Sequence, residues 1–121
     1  LTPKQTIAST TAGDKNDRGS AEICITPNGK FLYTSNRGAA NDISLYKVQT
    51  DGTLLENGHQ AVAANPRGMM VDPTGRFLLV ASQNDNTIQI FVINKNYGLL
   101  QDACTKLEVQ KPTCLQMTPV N

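Results

Sequence analysis

Ile25-Thr-Pro-Asn-Gly-Lys-Phe-Leu-Tyr-Thr-Ser-Asn36 falls on Val71-Asp-Pro-Thr-Gly-Arg-Phe-Leu-Leu-Val-Ala-Ser82 when the sequence is shifted by 46 residues. Working outward, and dropping one residue, Ile43-Ser-Leu-Tyr-Lys-Val48 falls on Ile88-Gln-Ile-Phe-Val-Ile93, and Leu54 meets Leu100 at a spacing of 46 again. Met117-Thr118-Pro119 follows Val71-Asp72-Pro73 by another 46. Thr26-Pro27, Asp72-Pro73 and Thr118-Pro119 therefore form an evenly spaced series of turns. A fixed period of this length is the mark of a repeat architecture.

Each copy reads as four short strands. In the first, Ala21 to Thr26 is followed by a Pro27-Asn28-Gly29 reversal, then by Phe31 to Asn36, rich in aromatic and β-branched residues. Asp42 to Val48 and a weaker outer strand from Leu54 to Ala63 complete it, separated by Thr50-Asp51-Gly52. The second copy gives Arg67 to Asp72, Phe77 to Ser82, Thr87 to Ile93 and Leu100 to Leu107. No segment keeps a helical period, so the chain is expected to be all-β. Four strands per period predict β-propeller blades of four antiparallel strands, forming a segment of a larger ring. A β-sandwich of two four-stranded sheets is the competing architecture, but it gives no reason for the echo.

The phase of the repeat divides the chain. Residues 1–19 are expected to hold the outer strand of a preceding blade, over Leu1 to Ile7, and a connecting loop. Residues 20–65 and 66–112 are expected to be complete blades, and residues 113–121 the start of the next or ring-closing blade. Two blades cannot close a ring, so a longer polypeptide is expected to supply the remaining propeller blades.

Composition narrows the function. The chain has 121 residues, 39% of them hydrophobic and 17% charged, with a net charge of +1. That balance argues against a nucleic-acid partner, and no apolar run is long enough for a membrane helix. Leu1-Thr2-Pro3-Lys4-Gln5 lacks the basic start and apolar stretch of a signal peptide. Cys24, Cys104 and Cys114 form neither a Cys-x-x-Cys pair nor an even set, which suggests a reducing, cytoplasmic setting with packed thiols. His59, the lone histidine, is expected on an outer surface, and a Ser-His-Asp set is not expected within this segment.

Ser20-Ala-Glu-Ile23, Pro27-Asn-Gly-Lys-Phe-Leu-Tyr33, Ser35-Asn-Arg-Gly38, Pro66-Arg-Gly68, Asp72-Pro-Thr-Gly-Arg-Phe-Leu-Leu79 and Lys111-Pro-Thr-Cys-Leu115 together resemble the seven-bladed β-propeller lactonase family. The resemblance spans Gly19 to Met117. It implies a ring of about 320 residues, of which this chain holds roughly a third. Absence of tryptophan argues against a WD-repeat propeller, and absence of a Gly-Gly pair against a kelch blade. The family includes 6-phosphogluconolactonases and carboxymuconate cyclases. Phe31-Leu-Tyr-Thr-Ser-Asn36 is also similar to repeats of surface-layer propellers, which bind without catalysis.

Blade topology locates a site. In a four-stranded meander, the loop between the second and third strands opens on the same end as the blade-to-blade connection. Arg37 and Gln83 occupy equivalent loops of that kind. Arg67 stands where a connection enters the innermost strand, and Glu22 lies one residue into the corresponding strand of the first copy. Arg37, Arg67 and Gln83 are therefore expected to bind an anionic ligand at one mouth of a central channel. Glu22, Arg37 and Arg67 are expected to be catalytic, with Glu22 paired to one of the arginines. Lys15 or Arg18 in the preceding loop are candidates for the rim. Cys24 stands where many family members have histidine.

The resemblance implies hydrolysis of a small anionic sugar lactone of the 6-phosphogluconolactone type, in the oxidative pentose phosphate branch. It implies neither a metal nor an organic cofactor. The alternatives are a non-catalytic binding propeller and a carboxymuconate cyclase-like enzyme.

Overall fold

The computed structural model describes residues 3–9 and 18–118. Among them lie eight strands: β1 (Arg18–Ile25), β2 (Phe31–Gly38), β3 (Asp42–Val48), β4 (Leu54–Ala61), β5 (Pro66–Val71), β6 (Phe77–Ser82), β7 (Thr87–Ile93) and β8 (Leu100–Glu108). They form two four-stranded antiparallel sheets in simple sequential order, β1 to β4 and β5 to β8. The sheets stack through neighbouring inner strands, β5 lying against β1 and β2. The described residues contain no helix, and the architecture is that of adjacent propeller blades.

The alternation written into the strands decides which faces meet. Phe31 and Tyr33 of β2 and Ile43 and Leu45 of β3 form one buried face. They interdigitate with Met69, Leu78, Val80, Phe91 and Ile93 from the second sheet. The far face of the second sheet is also apolar. Phe77, Leu79, Ile90, Ala103 and Met117 line an open groove of about 360 Å³ there. Phe77 and Leu79 stand 46 residues after Phe31 and Tyr33, so the groove repeats, uncovered, a face that the first sheet buries.

The turns repeat in chemistry as well as in position. Asp72 closes the β5–β6 reversal. Its Oδ1 accepts the amides of Arg76 and Phe77 at 2.9 Å each, and its Oδ2 accepts the Thr74 hydroxyl at 2.5 Å and the Thr74 amide at 3.2 Å. Thr26 does the same work in the first copy, where its Oγ1 accepts the Phe31 amide at 3.2 Å. Burial tends to raise the Asp72 carboxyl, but the hydrogen bonds from Thr74, Phe77 and Arg76 outweigh it and hold the group below the usual carboxylate range. A depressed folded value contributes stability above the ordinary carboxyl value, and that contribution disappears as pH falls through the folded one. Asp72→Ala is therefore expected to cost about 1–3 kcal/mol at neutral pH. In urea unfolding series, the gap to the unmodified protein should narrow below about pH 4. A gap independent of pH would reject the carboxylate as its source.

A second repeated device ties each sheet to the segment that follows it. Asn41 accepts the Val62 amide at its carbonyl (3.1 Å) and the Asn65 amide at its Oδ1 (3.0 Å). Asn86 accepts Val109 and Lys111 in the same two ways, at 3.0 Å each. Both asparagines are left-handed, with φ of 45° and 51°, as are Asn65 and Lys111, which precede Pro66 and Pro112.

Three details depart from the sequence reading. Residues 3–9 form no strand, although they run along the first sheet: Gln5 exchanges two hydrogen bonds with the Leu54 backbone (2.6 and 2.8 Å), and Tyr46 donates to Ala8 O at 2.8 Å. The side-chain amide of Gln5 takes the place of backbone pairing. Leu1 and Thr2 lie outside the described residues. β1 begins at Arg18 rather than Ala21, because the chain pairs with β2 on both sides of a bulge. Finally, Cys104 and Cys114 are exposed rather than packed. Cys104 is on the outer strand with φ of 57°, its amide donating to Asp102 Oδ1 at 2.8 Å.

Candidate functional site

A bulge recurs at the start of each inner strand. In β1, Ser20 pairs with Asn36 and Ile23 with Thr34, so Ala21 and Glu22 together face Ser35. In β5, Pro66 pairs with Ser82 and Gly68 with Ala81, leaving Arg67 without a partner. Ala21 and Arg67 are 46 residues apart, so the same local distortion is built twice. A bulge re-aims the side chains that it carries.

Arg37 is the next-to-last residue of β2 and pairs with Gly19 across the ladder. The bare Gly19 backbone leaves room for the guanidinium: a Cβ there would lie 3.6 Å from Arg37 Nη2 and 3.7 Å from Nε. Nη2 donates to Ser20 O at 3.4 Å, while Nε is buried with no acceptor among the described residues. A charged donor held out of water without a partner is costly. Arg67 is exposed at the bulge of β5.

Glu22 does not make the expected ion pair. Among the described residues neither Arg37 nor Arg67 bridges a carboxylate; the carboxylate contacts found are those of the His59 ring. The reason is local. The bulge turns Glu22 toward solvent, its amide donates to Ser35 Oγ at 3.0 Å, and its carboxylate accepts the adjacent Ile23 amide at 3.1 Å. Gln83 follows β6 directly and is committed to the connector ahead of Arg67. Its Oε1 accepts Asn65 Nδ2 and its amide donates to Asn65 O, both at 3.0 Å. The four candidates thus occupy the same end of two neighbouring inner hairpins, without hydrogen bonds joining them to one another. Lys15 and the Arg18 side chain lie outside the described residues.

Cys24 packs against the inter-sheet core. Burial, followed by the negative charge of Glu22, pushes its thiol up to about 12. It is protonated at neutral pH and is no nucleophile. Among the described residues no group of three His, Cys, Asp or Glu converges as metal ligands would, and no helix is long and apolar enough to cross a membrane.

His59 is exposed on the outer strand, as expected, but it also joins a cluster not anticipated from the sequence: its Nδ1 lies 3.2 Å from Ser44 Oγ and 3.4 Å from Asp42 Oδ2, and its Nε2 lies 3.3 Å from Glu56 Oε1. Asn36 Nδ2 donates to Asp42 Oδ1 and Ser44 Oγ at 2.8 Å each. The signal was present in Asp42 and Ser44, two residues apart on β3 and so on one face, opposite His59 on β4. These are the residue types of a hydrolytic triad, but Ser44 is buried and its hydroxyl donates to Ser9 O. The cluster fastens the segment before β1 to the sheet and offers no free nucleophile.

Comparison with known proteins follows the same lines. A family model described as "Lactonase, 7-bladed beta-propeller" matches residues 1–117. A 6-phosphogluconolactonase of Pectobacterium carotovorum subsp. carotovorum is 43% identical over 98 residues, covering 80% of this chain and 29% of that protein. One from Formosa agariphila is 43% identical over 101 residues, covering 81% and 29%. Among solved structures, a Bacteroides fragilis protein with a provisional 6-phosphogluconolactonase assignment superposes with a TM-score of 0.85 at 39% identity, covering 93% of this chain and 32% of that one. A periplasmic gluconolactonase of Pseudomonas aeruginosa gives a TM-score of 0.76 at 26% identity, covering 93% and 30%. The chain thus spans less than a third of the length of each of these relatives.

Proposed function

The chain belongs to the seven-bladed β-propeller lactonase family, and from that premise we propose that the protein containing it hydrolyses 6-phosphogluconolactone or a closely related anionic sugar lactone. The observation that carries the proposal is the placement of the Arg37 guanidinium, with no carboxylate partner among the described residues, at the same end of the inner hairpins as the exposed Arg67. Two guanidinium groups at one rim suit a phosphorylated substrate. Water adds to the ring carbonyl, an arginine stabilises the oxyanion, and the ring C–O bond then breaks to give the open-chain acid. Glu22, exposed and engaged only with neighbouring backbone, is the candidate to accept the proton of that water and return it to the leaving oxygen. Gln83 acts on the substrate side by holding the Asn65 connector that leads into Arg67.

In this reading residues 20–65 and 66–112 are two blades of one ring. Residues 1–19 and 113–121 belong to their neighbours, and a further blade of the same polypeptide covers the groove at Phe77, Leu79 and Ile90. The product, a phosphorylated aldonic acid, fits the oxidative pentose phosphate branch. Three free thiols favour a cytoplasmic location, which fractionation of the native protein tests against the periplasmic setting of the Pseudomonas relative.

The experiment is hydrolysis of 6-phosphogluconolactone by the full-length protein, followed against the spontaneous rate. The unmodified protein should exceed that rate, and Arg37→Ala should lose about tenfold or more in kcat/KM. A full-length protein that binds the lactone without accelerating its hydrolysis would leave a binding propeller in its place.

A further inference from the structure

Gly68 is the residue after Arg67 in β5, and it is buried. Its φ is not among the positive ones, so conformational freedom is not why glycine stands there. A Cβ at Gly68 would lie 2.5 Å from the carbonyl oxygen of Thr113, 3.0 Å from its carbonyl carbon and 3.4 Å from Cys114 Cα. All three are backbone atoms, which have no side-chain rotamer with which to give way. The space beside β5 is therefore filled by main chain and admits no side chain.

The identity of that main chain gives the contact its meaning. Thr113 follows Arg67 by 46 residues, so the carbonyl in Gly68's space belongs to the next repeat's counterpart of Arg67. Gly68 and Arg67 share one bulge, where the register slips between Pro66 and Gly68. One peptide joins Gly68 to Arg67, so a shift of Gly68 away from Thr113 passes directly into the backbone that carries Arg67. In the first repeat the counterpart of Gly68 is Glu22, which is exposed, so that position accommodates a side chain.

We infer that Gly68 is a positioning residue for the anionic-lactone site: by seating the Thr113 carbonyl against β5, it fixes the direction in which the bulge presents Arg67 to the substrate. The inference rests on the role proposed above for Arg67. A displacement of about 1 Å at a binding group is enough to change kinetics strongly, which is the scale of the shift a methyl group would force here.

The test is steady-state hydrolysis of 6-phosphogluconolactone by the full-length protein carrying Gly68→Ala, Arg67→Ala, both together, and Thr113→Gly. Gly68→Ala should raise KM about tenfold while kcat stays within about twofold, and it should add nothing once Arg67 is alanine. Thr113→Gly introduces no clash and loosens the carbonyl from the other side, so it should move KM in the same direction by about threefold. Equal loss from Gly68→Ala in both backgrounds would assign it to general stability and overturn the inference. If Gly68→Ala does not fold, an unchanged KM in Thr113→Gly overturns it instead. Normal kinetics for Arg67→Ala alone would remove the underlying site, whereas a crippled Arg67→Ala beside an unaffected Gly68→Ala would remove only the positioning role.

Discussion

Gly98→Ala is expected to lower the free energy of unfolding by about 3 kcal/mol, a large part of the stability of an ordinary domain. Gly98 sits in the β7–β8 turn with φ of 71°, and its amide donates to Asn94 O at 2.7 Å. A left-handed conformation costs a non-glycine residue about 1–2 kcal/mol. The larger effect is contact. An added Cβ would stand 2.2 Å from Cδ1, 2.5 Å from Cγ and 2.7 Å from Cε1 of Phe31, a ring that is itself 4% exposed in the core. Tyr33, on the same face of β2, donates its hydroxyl to Gly98 O at 2.8 Å, so the turn cannot lift away without breaking that bond. Gly52 provides the control. It occupies the corresponding turn of the first sheet, 46 residues earlier, with φ of 86°, and its nearest neighbour is Lys4 Nζ at 4.0 Å. Gly52→Ala should therefore show only the conformational cost of about 1 kcal/mol. Urea unfolding of the two variants, with unchanged slopes, measures the difference. Equal losses would show that the contact between the second sheet's turn and Phe31 contributes nothing.

That comparison also shows how the repeat encodes the fold. β3, β6 and β7 occupy the limits that the strand pattern assigns, because alternation and a clear turn on each side leave no freedom in their registers. The inner strands were less legible. A bulge is one extra residue, and nothing in Ser20-Ala21-Glu22-Ile23 or Pro66-Arg67-Gly68 announces it until the pairing partners are known. The Asn41 and Asn86 clasps were legible in principle, since two asparagines recur at equivalent positions, but only their left-handed backbone and paired amides reveal what they hold.

The candidate residues were legible in their strand positions and not in their pairing. Strand order alone puts Arg37, Arg67, Glu22 and Gln83 at one end of the inner hairpins. Whether a carboxylate there meets an arginine depends on how the bulge aims it, and here Glu22 turns to its own strand's amide instead. The thiols show the same limit. Cys24 is packed as its apolar neighbours suggest, whereas Cys104 and Cys114 are exposed, because the outer strand and the segment beyond it have no second layer among the described residues.

Arg67→Ala in the full-length protein is expected to lower kcat/KM for 6-phosphogluconolactone about 100-fold. Arg67 is exposed, and among the described residues it makes no ion pair, so its removal should change stability by no more than about 0.5 kcal/mol. That separates it from Arg37, whose guanidinium is folded over Gly19 and would leave a gap. The division of the loss identifies the atom that Arg67 serves. If it clasps the phosphate, KM rises, kcat holds, and the preference for the phosphorylated lactone over glucono-δ-lactone largely disappears. If it stabilises the oxyanion, kcat falls for both substrates alike, because the developing charge is common to both. Geometry favours the first outcome. An exposed guanidinium on a flexible stem at a rim suits a terminal phosphate, while the Arg37 guanidinium, held over Gly19 and bonded to Ser20 O, is the better preorganised donor for charge that appears only in the transition state. Normal kinetics with both lactones would remove Arg67 from the site, and with it the positioning role assigned to Gly68.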